Sequence, residues 1–377
     1  MLKGFYLTLL MGPTIPAPAP RPVIEALNSV QVTITSGQRN GFQLSFNLSK
    51  KSLINQVLLP SGLFDPKIRV IIVVTVNGIP NVLIDGIIIR QELAPSNELG
   101  QSTLTVTGED LSLLMDLVKP PTAIPYPALT AELIVGVILA KYALYGIIPF
   151  FVPSLFPNPK LPIQQIPSQQ DTDLNYINEL AKNNGYVFYI EPGPAPGANI
   201  AYWGPEIRIG VPQPALNINM DAHTNVDSLS FSLDGSSREQ VAIKVQEPIT
   251  KLSIPIPLPD ISLLSPPLAL KQAPALKYKF LEGAAKLSPP EAAAQALSEA
   301  NKSADAVTAS GQLSVSRYGR ILKARQLVGV RGAGVAYDGL YYVKSVTHNL
   351  NVKNGEYKQS FTMARNGLIS LTPVVVP

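Results

Sequence analysis

Apolar and polar residues alternate between residues 30 and 107, a pattern that predicts β-strands with one buried face and one wet face. Val30 and Val32 alternate with polar residues in this way. A nearly continuous Ile/Val run then ends at Asn77-Gly78, a residue pair suited to a tight hairpin. The predicted strands lie at 30–35, 42–48, 68–76, 82–90 and 102–107, and together they indicate a small β-barrel or sandwich.

The pattern changes between residues 119 and 222, where prolines and helical spacing replace the alternation. A helical stretch is predicted at 130–145. A second helix, at 171–185, has acidic and threonine capping residues at its start and Asn-Gly at its end. A strand follows at 186–190. This region is therefore predicted to be an α/β insertion.

Alternation resumes at 226–233 and 241–245, and strands return from 313 to 366. Tyr341 and Val346 both occupy predicted core positions in this last part. Their spacing does not fit one regular strand, so an irregularity is expected between them. The chain therefore contains a second β-module.

A proline-rich segment and a helix interrupt the second module. Residues 248–274 include Ile254-Pro-Ile-Pro-Leu-Pro259, which cannot form a central strand because alternate residues lack an N–H. Ser288-Pro-Pro-Glu291 is typical of a capping box with proline in the first turn, and it predicts an alanine-rich helix to about Ala309.

The composition is that of a folded protein with many proline-rich connecting segments. Of 377 residues, 36 are proline and 26 are glycine, while 46% are hydrophobic and 15% are charged. This provides apolar material for a core and lacks the charge excess of disordered chains. The prolines concentrate at 13–22, 120–167 and 248–290, so they separate the predicted modules from their insertions.

Composition also excludes several kinds of chemistry. Without cysteine there is no disulfide, thiolate nucleophile or cysteine-based metal site. The net charge is only +4 and Lys50-Lys51 is the one basic doublet, so no nucleic-acid specificity is expected. No apolar stretch is long and uncharged enough to predict a transmembrane segment.

The N-terminus resembles a signal peptide, with a short apolar stretch and small residues at Ala17 and Ala19. The apolar stretch is at the lower limit for such a region, and cleavage after Ala19 would leave a proline at the new terminus. We interpret residues 1–22 instead as an apolar strand or arm followed by a polyproline spacer.

The candidate reactive residues all have simpler structural interpretations. His223 and His348 are far apart in sequence, and His348 shares strand parity with Val346, which predicts a partly buried strand histidine with a local partner. The acidic pairs Glu109-Asp110 and Asp171/Asp173 both stand at predicted helix starts, where carboxylates are favoured as caps.

Other polar motifs also lack a catalytic context. Ser236-Ser237-Arg238 and Arg317-Tyr318-Gly319-Arg320 have no nearby base and no nucleophile-elbow context. For the glycine pair of Val330-Arg-Gly-Ala-Gly334, a turn between strands is a sufficient interpretation. Tyr202 and Trp203 are predicted to fill the core of the insertion rather than to mark an interface. We therefore predict no catalytic, metal-binding or cofactor-binding residue, assign no ligand-binding residue, and do not expect an enzyme.

Four segments resemble a known family. They are residues 5–13 running into 18–22, Leu104–Asp116, the helix and strand at 171–190, and Tyr337–His348 followed by Gly355–Gly367. In this order they resemble the baseplate hub proteins of contractile injection systems, the late-control-D-like family of phage tails and phage-tail-like particles. The helix-then-strand segment is also similar to one in type VI secretion spike proteins.

The resemblance implies a mainly β fold with two tail-tube-like β-barrel domains, inserted helices and proline-rich loops. The expected organisation is an N-terminal arm (1–22), a first barrel (23–119), an α/β insertion domain (120–222), a second barrel (223–249 and 312–371), and a proline-rich loop and helix insertion (250–311). The arm and the proline-rich loop are expected to pack on neighbouring subunits.

The implied function is structural. The resemblance predicts a homotrimer that joins a hexameric inner tube, or a tube initiator, to a trimeric spike, with baseplate wedge proteins as further partners. Because the chain ends at Pro377, the spike is expected to be a separate protein. Assembly is expected in the bacterial cytoplasm, in a phage tail or a phage-tail-like particle.

Three alternatives stay open at this point. The signal-like start and the proline spacers would also suit an exported surface or adhesive β-protein. A peptidoglycan-active enzyme of the same particle would use one of the acidic pairs. Another component with a tube fold, such as a tube initiator, would share the predicted modules but assemble as a hexamer.

Overall fold

The computed structural model describes residues 4–98, 101–153, 166–236, 238–246, 253–257, 265–280, 295–300 and 304–372. Some predicted features lie outside these residues. They are Ser237, the predicted capping box at 288–291, and most of the proline-rich segment between 247 and 264.

The described residues form 23 strands. They are β1 (Phe5–Gly12), β2 (Ala17–Pro18), β3 (Leu27–Thr35), β4 (Gly41–Leu48), β5 (Arg69–Val76), β6 (Ile79–Ala94), β7 (Ser102–Asp110), β8 (Ile124–Pro125), β9 (Ile147–Phe151), β10 (Ser168–Gln169), β11 (Val187–Pro192), β12 (Asn199–Gly204), β13 (Gln213–Asn217), β14 (Ser228–Leu233), β15 (Glu239–Gln246), β16 (Ser253–Pro257), β17 (Ala269–Gln272), β18 (Lys277–Phe280), β19 (Val307–Ser314), β20 (Leu327–Arg331), β21 (Gly339–Asn351), β22 (Glu356–Arg365) and β23 (Gly367–Ser370).

Helices are short and few by comparison. They are α1 (Arg21–Ala26), α2 (Ala131–Ala140), α3 (Asp173–Asn183), α4 over residues 295–300, and α5 (Val315–Tyr318). A π-helical turn lies at Ile54–Leu58, and 3₁₀ turns lie at Leu111–Asp116, Ala143–Tyr145 and Asp221–His223. The predicted mainly β fold is thus confirmed, and most strand pairs are antiparallel.

One large sheet contains most of the strands. Its order is β14-β19-β22-β21-β3-β4-β7-β6-β5-β1-β2, with β20 pairing with β21 and β13 pairing with β20. The prediction of two separate barrels is not matched within the described residues, because their hydrogen bonds close no ring of strands. Instead β3 pairs with β4 on one edge and with β21 on the other, which makes one continuous sheet.

The large sheet contains the same six-stranded arrangement twice, so the chain has an internal structural repeat. The first repeat has the order β3-β4-β7-β6-β5-β1 and the second has the order β14-β19-β22-β21-β20-β13. Corresponding strands also follow the same order along the chain. One difference is that β1 is antiparallel to β5, whereas β13 is parallel to β20. The two predicted β-modules are therefore two versions of one strand arrangement.

The repeat extends to backbone detail. Lys67 and Arg325 both have a left-handed backbone, with φ of 75° and 61°. Lys67 donates its N–H to the carbonyl of Ile88 at 2.9 Å, and Arg325 donates to that of Val343 at 2.8 Å. A β-bulge follows Ile88 in β6 and Val343 in β21. The second bulge is the irregularity that was predicted between Tyr341 and Val346.

The insertions differ between the repeats. In the first repeat β3 and β4 are joined by the five-residue loop 36–40, whereas β14 and β19 are separated by β15 to β18 and α4. β16 contains the alternating prolines and lies at an edge of the sheet β16-β15-β18, as its missing N–H groups require. β19 begins at Val307, inside the segment that was predicted to stay helical to Ala309.

The N-terminal segment, which was predicted to be an apolar strand or arm, forms a strand of the first repeat. β1 pairs along its whole length with β5, and β2 folds back onto the end of β1. Phe5, Leu9 and Met11 are buried in the core that both repeats share. This accounts for the apolar character of a segment that was expected to pack on a neighbouring subunit.

The α/β insertion has its own core. α2 and α3 cover the three-stranded sheet β11-β12-β9, and the predicted cap Thr172 accepts a hydrogen bond from the backbone of Asn175 at 3.3 Å. Trp203 is fully buried there, which confirms its predicted role as core filler. Ile87 and Leu111 of the first repeat join this core, so the insertion packs on that repeat.

Three buried arginines tie the parts together. Arg69 donates two hydrogen bonds to Asp85, at 2.8 and 2.7 Å, and others to the carbonyls of Thr14 and Tyr145.

Arg208 donates two hydrogen bonds to Asp305, and Asp305 also contacts Lys344. Arg325 donates hydrogen bonds to Glu191 of the insertion and to the carbonyl of Thr35. The positive charges of Arg208 and Lys344 hold the pKa of Asp305 below its usual value, although burial alone would raise it.

We predict that D85N lowers the free energy of unfolding by about 3–5 kcal/mol, because it leaves the buried guanidinium of Arg69 without a counter-charge. The control is E25Q, which breaks the exposed Arg21–Glu25 pair and should cost under about 0.5 kcal/mol. Both are measured by urea denaturation. If D85N unfolds at the same urea concentration as E25Q, the pair does not hold this junction.

Candidate functional site

A wide polar surface covers one side of the large sheet, and we call it the polar face. It exists because the two-residue period stays in phase across seven paired strands, β14, β19, β22, β21, β3, β4 and β7. Its members are Ser29, Gln31, Thr33, Thr35, Gln43, Ser45, Asn47, Thr103, Thr105, Thr107, Ser228, Ser230, Ser232, Ser310, Gln312, Ser345, Thr347, Asn349, Asn351, Ser360 and Thr362. None of these side chains is buried.

Side chains on the polar face bond across the strands. At the junction of the repeats, Thr33 and Thr347 share a hydrogen bond of 3.2 Å, and Gln31 donates to Asn349 at the same distance. Ser345 and Thr362 are 2.7 Å apart within the second repeat. Such cross-strand pairs stabilise the sheet and partly satisfy the polar groups of this surface.

The central positions of the polar face are uncharged. They hold hydroxyl and amide side chains, and several charged residues at the margin form ion pairs. Lys358 contacts Glu356 at 2.8 Å, Arg39 contacts Glu109 at 2.9 Å, and Arg90 contacts Glu92. A surface of this kind presents many weak hydrogen-bonding groups and little electric field.

His348 lies on the opposite, buried side of the same strands. Its Nδ1 is 2.7 Å from the hydroxyl of Tyr357 and 3.3 Å from Nε2 of Gln359. Burial lowers the pKa of His348 to about 3, so the imidazole is neutral at physiological pH. The predicted strand histidine with a local partner is found, although it is fully rather than partly buried.

The predicted acidic pairs are structural. Asp110 is buried and caps the following 3₁₀ turn, accepting hydrogen bonds from the backbone N–H of Ser112 and of Asn40. Burial raises the pKa of Asp110, and these hydrogen bonds oppose that effect. Asp173 accepts hydrogen bonds from Lys141 and Tyr142.

The remaining candidates are also accounted for. Ser236 bonds to Asp234, and Arg317 forms an ion pair with Asp227 at 2.9 Å. Gly332 and Gly334 have φ of 88° and 92° in the turn between β20 and β21, as the turn interpretation requires. His223 is exposed in a 3₁₀ turn. Within the described ranges, no three His, Asp or Glu side chains cluster as metal ligands would.

A groove of about 450 Å³ lies where the two repeats and the insertion meet. Proline and aliphatic residues such as Pro80, Pro192 and Ile200 line it, together with Arg325. Arg325 donates hydrogen bonds to Glu191 at 3.0 Å and to the carbonyl of Thr35 at 2.9 Å, and it stacks on a tyrosine ring. Its charge is therefore used to join three parts of the chain rather than held ready for a ligand.

The polar face was not recognised from the sequence, although its signal was present. The alternation predicted that each strand has a wet side. The alternation does not predict that β21 pairs with β3, and this pairing joins the solvent-facing sides of the two repeats. Serine, threonine, asparagine and glutamine at alternate positions of every strand would have been the clue.

Solved structures share this fold along nearly the whole chain. A tail protein from Neisseria meningitidis MC58 matches with a TM-score of 0.60 at 14% identity, over 97% of this chain and 98% of that one. The 43 kDa tail protein of prophage MuSo2 from Shewanella oneidensis gives the same TM-score and identity, over 96% and 98%. At this identity the likeness establishes the fold.

A third match is the E. coli c3393 protein, described as a component of the type VI secretion system. Its TM-score is 0.54 at 12% identity, and the match covers 93% of this chain and 77% of that one. No family model and no curated protein matches the sequence. Among the described residues, no helix has the length and apolar character needed to cross a bilayer.

We predict that His348 makes the protein sensitive to acid. In the unfolded chain the imidazole binds a proton below pH 6.5, whereas in the folded protein it does so only near pH 3. Stability is therefore complete above pH 6.5 and is lost as pH falls, by up to about 1.4 kcal/mol per pH unit from this group.

The test is urea denaturation of H348Q between pH 7 and pH 4. The variant keeps an acceptor for Tyr357 and should show a shallower loss of stability with falling pH than the wild type. H223Q, which replaces the exposed histidine, should keep the wild-type slope. Equal slopes for H348Q and wild type would contradict the assignment.

Proposed function

We propose that this protein is the baseplate hub of a contractile injection system, in a phage tail or a phage-tail-like particle. In this role it forms a homotrimer that adapts a hexameric inner tube, or a tube initiator, to a trimeric spike. The observation that carries the proposal is the internal repeat. Three chains with two repeats each present six similar units, which fits six-fold symmetry on one side and three-fold symmetry on the other.

The polar face supports the same proposal. In a hub it would line the channel through which material passes, and its uncharged hydroxyl and amide groups suit contact with moving cargo because no strong ion pairs form. The two repeats would then act as the two tail-tube-like units of the predicted organisation.

The fold likeness adds support from other proteins. Two of the similar structures are described as tail proteins and one as a type VI secretion component. The expected domain division at 1–22, 23–119, 120–222, 223–249 with 312–371, and 250–311 is retained here with one change, since β1 packs in the first repeat. A separate spike protein and baseplate wedge proteins are the proposed partners, with assembly in the bacterial cytoplasm.

This role requires no catalytic group, and Asp110, Asp173 and His348 are engaged in capping and packing contacts. We therefore propose a structural protein rather than an enzyme. The buried arginines and the shared core would transmit force between tube and spike without internal rearrangement, because each joins parts that are distant in sequence.

The test is the mass of the purified protein by native mass spectrometry. A hub gives a particle of three times the 40.5 kDa chain mass, and a mixture with the tube or spike protein shifts this trimer to a larger complex. A hexamer would support the tube-initiator alternative instead. A monomer that binds neither protein would contradict both assignments.

A further inference from the structure

The groove where the two repeats and the insertion meet is one part of a larger cleft. It has a volume of about 450 Å³ and lies between the β5–β6 hairpin, the turn after β11 and the segment before β20. Apolar side chains in its wall are open to solvent, since Ile79 and Ile200 retain 65% and 40% of their accessible surface. This size is within the range of clefts that bind ligands.

A second hollow, of about 390 Å³, adjoins the groove and shares Arg325 and Gln326 with it. It is lined by Tyr189, Tyr202 and Tyr342. The rings of Tyr189 and Tyr202 are stacked, with their centroids 4.9 Å apart. We call the groove and this hollow together the junction cleft. One part of it is aliphatic and the other part is aromatic.

His348 lines the groove and has an unused hydrogen-bond donor. The backbone N–H of Leu322 donates to Oε1 of Gln359 at 2.9 Å, which fixes the orientation of that amide. Its Nε2 therefore donates to Nδ1 of His348, 3.3 Å away. Since Nδ1 is an acceptor in the neutral ring, Nε2 carries the proton. Nε2 is buried and has no hydrogen-bond partner among the described residues, which is unfavourable.

Arg325 has a second unused donor in the same cleft. Its terminal nitrogens donate to Glu191, to the carbonyl of Thr35 and to Oδ1 of Asn40. Its Nε is buried and has no partner within the part of the chain that the structure describes. Glu191 balances the charge of Arg325, so this unused group is a donor rather than a free cation. The cleft therefore suits an uncharged ligand that offers acceptors and few donors.

A β-strand is a poor fit to the wall of the groove. From Ile79 to Asp85, β6 pairs only with β5 among the described strands, and residues 79–83 line the groove. Pro80 lies in this stretch and has no N–H to donate. Proline on a free strand edge opposes the addition of another strand. The ligand is thus expected to bind in a conformation that needs no ladder of backbone hydrogen bonds.

We propose that the junction cleft binds a proline-rich segment of a partner protein in the polyproline II conformation, with one backbone carbonyl of that segment accepting a hydrogen bond from Nε2 of His348. Proline has a carbonyl and no N–H, so such a segment supplies acceptors without donors. Its rings pack on aromatic surfaces such as that of Tyr189 and Tyr202, and its preformed conformation loses little entropy on binding. The inference does not depend on the hub role.

The test uses the whole protein with nitrogen-15 in its two histidines, His223 and His348. The probe is acetyl-hexaproline amide, which is uncharged. We expect the Nε2–H resonance of His348 to shift saturably with added peptide and its exchange with water to slow. The resonance of His223, which is exposed, should stay unchanged. A capped glycine–serine peptide of equal length is the control and should give no shift.

Three results would overturn the proposal. An unchanged His348 resonance together with fast exchange would mean that ordered water alone satisfies this donor. Slow exchange before any peptide is added, with no effect of the peptide, would mean that the chain itself fills the cleft. An equal shift with the glycine–serine peptide would mean that proline is not recognised.

Two variants locate the binding surface. I200N changes an exposed side chain of the groove and should weaken peptide binding several-fold. L133N changes another exposed apolar side chain, on α2, which covers the other face of the insertion sheet, and should bind as the wild type does. Both positions are exposed, so both variants should fold. Wild-type affinity in I200N, measured by the same titration, would show that the peptide does not occupy the groove.

Discussion

The ladder between β21 and β3 is the contact on which the rest of the structure depends. It joins the two repeats into one sheet, although the paired strands are more than 300 residues apart, from Thr35 to Ser345. Because side chains alternate along every strand, a slip of one residue there would turn the wet side of one repeat toward the core of the other. The hydroxyl pair of Thr33 and Thr347 marks the register that keeps both repeats in phase.

Buried arginines hold the insertion against this sheet. Arg325 connects β3 of the first repeat, the insertion strand β11 and the segment before β20, and Arg69 connects β5 and β6 with the turn before β9. A buried ion pair adds little net stability compared with an apolar pair, yet removal of one partner is costly. These contacts therefore specify one geometry for the three parts, as the proposed adaptor role would require.

Local features of this fold were predictable from the sequence, and long-range ones were not. Alternation located β3 and β4, side-chain chemistry located the caps Asp110 and Thr172, and the spacing of Tyr341 and Val346 indicated the bulge in β21. Helical composition misled at Val307, because strand pairing with β22 outweighs the helix propensity of the alanines there. The polar face depends on pairing between distant strands, which no local pattern encodes.

A reconstruction by electron microscopy of the protein assembled with its tube and spike would test the central claim most directly. We expect three copies around the axis, six repeats at similar radius, and Gln31, Gln43 and Thr347 of every copy facing the channel. A ring of six copies, or a channel lined by another surface with the polar face turned outward, would contradict it.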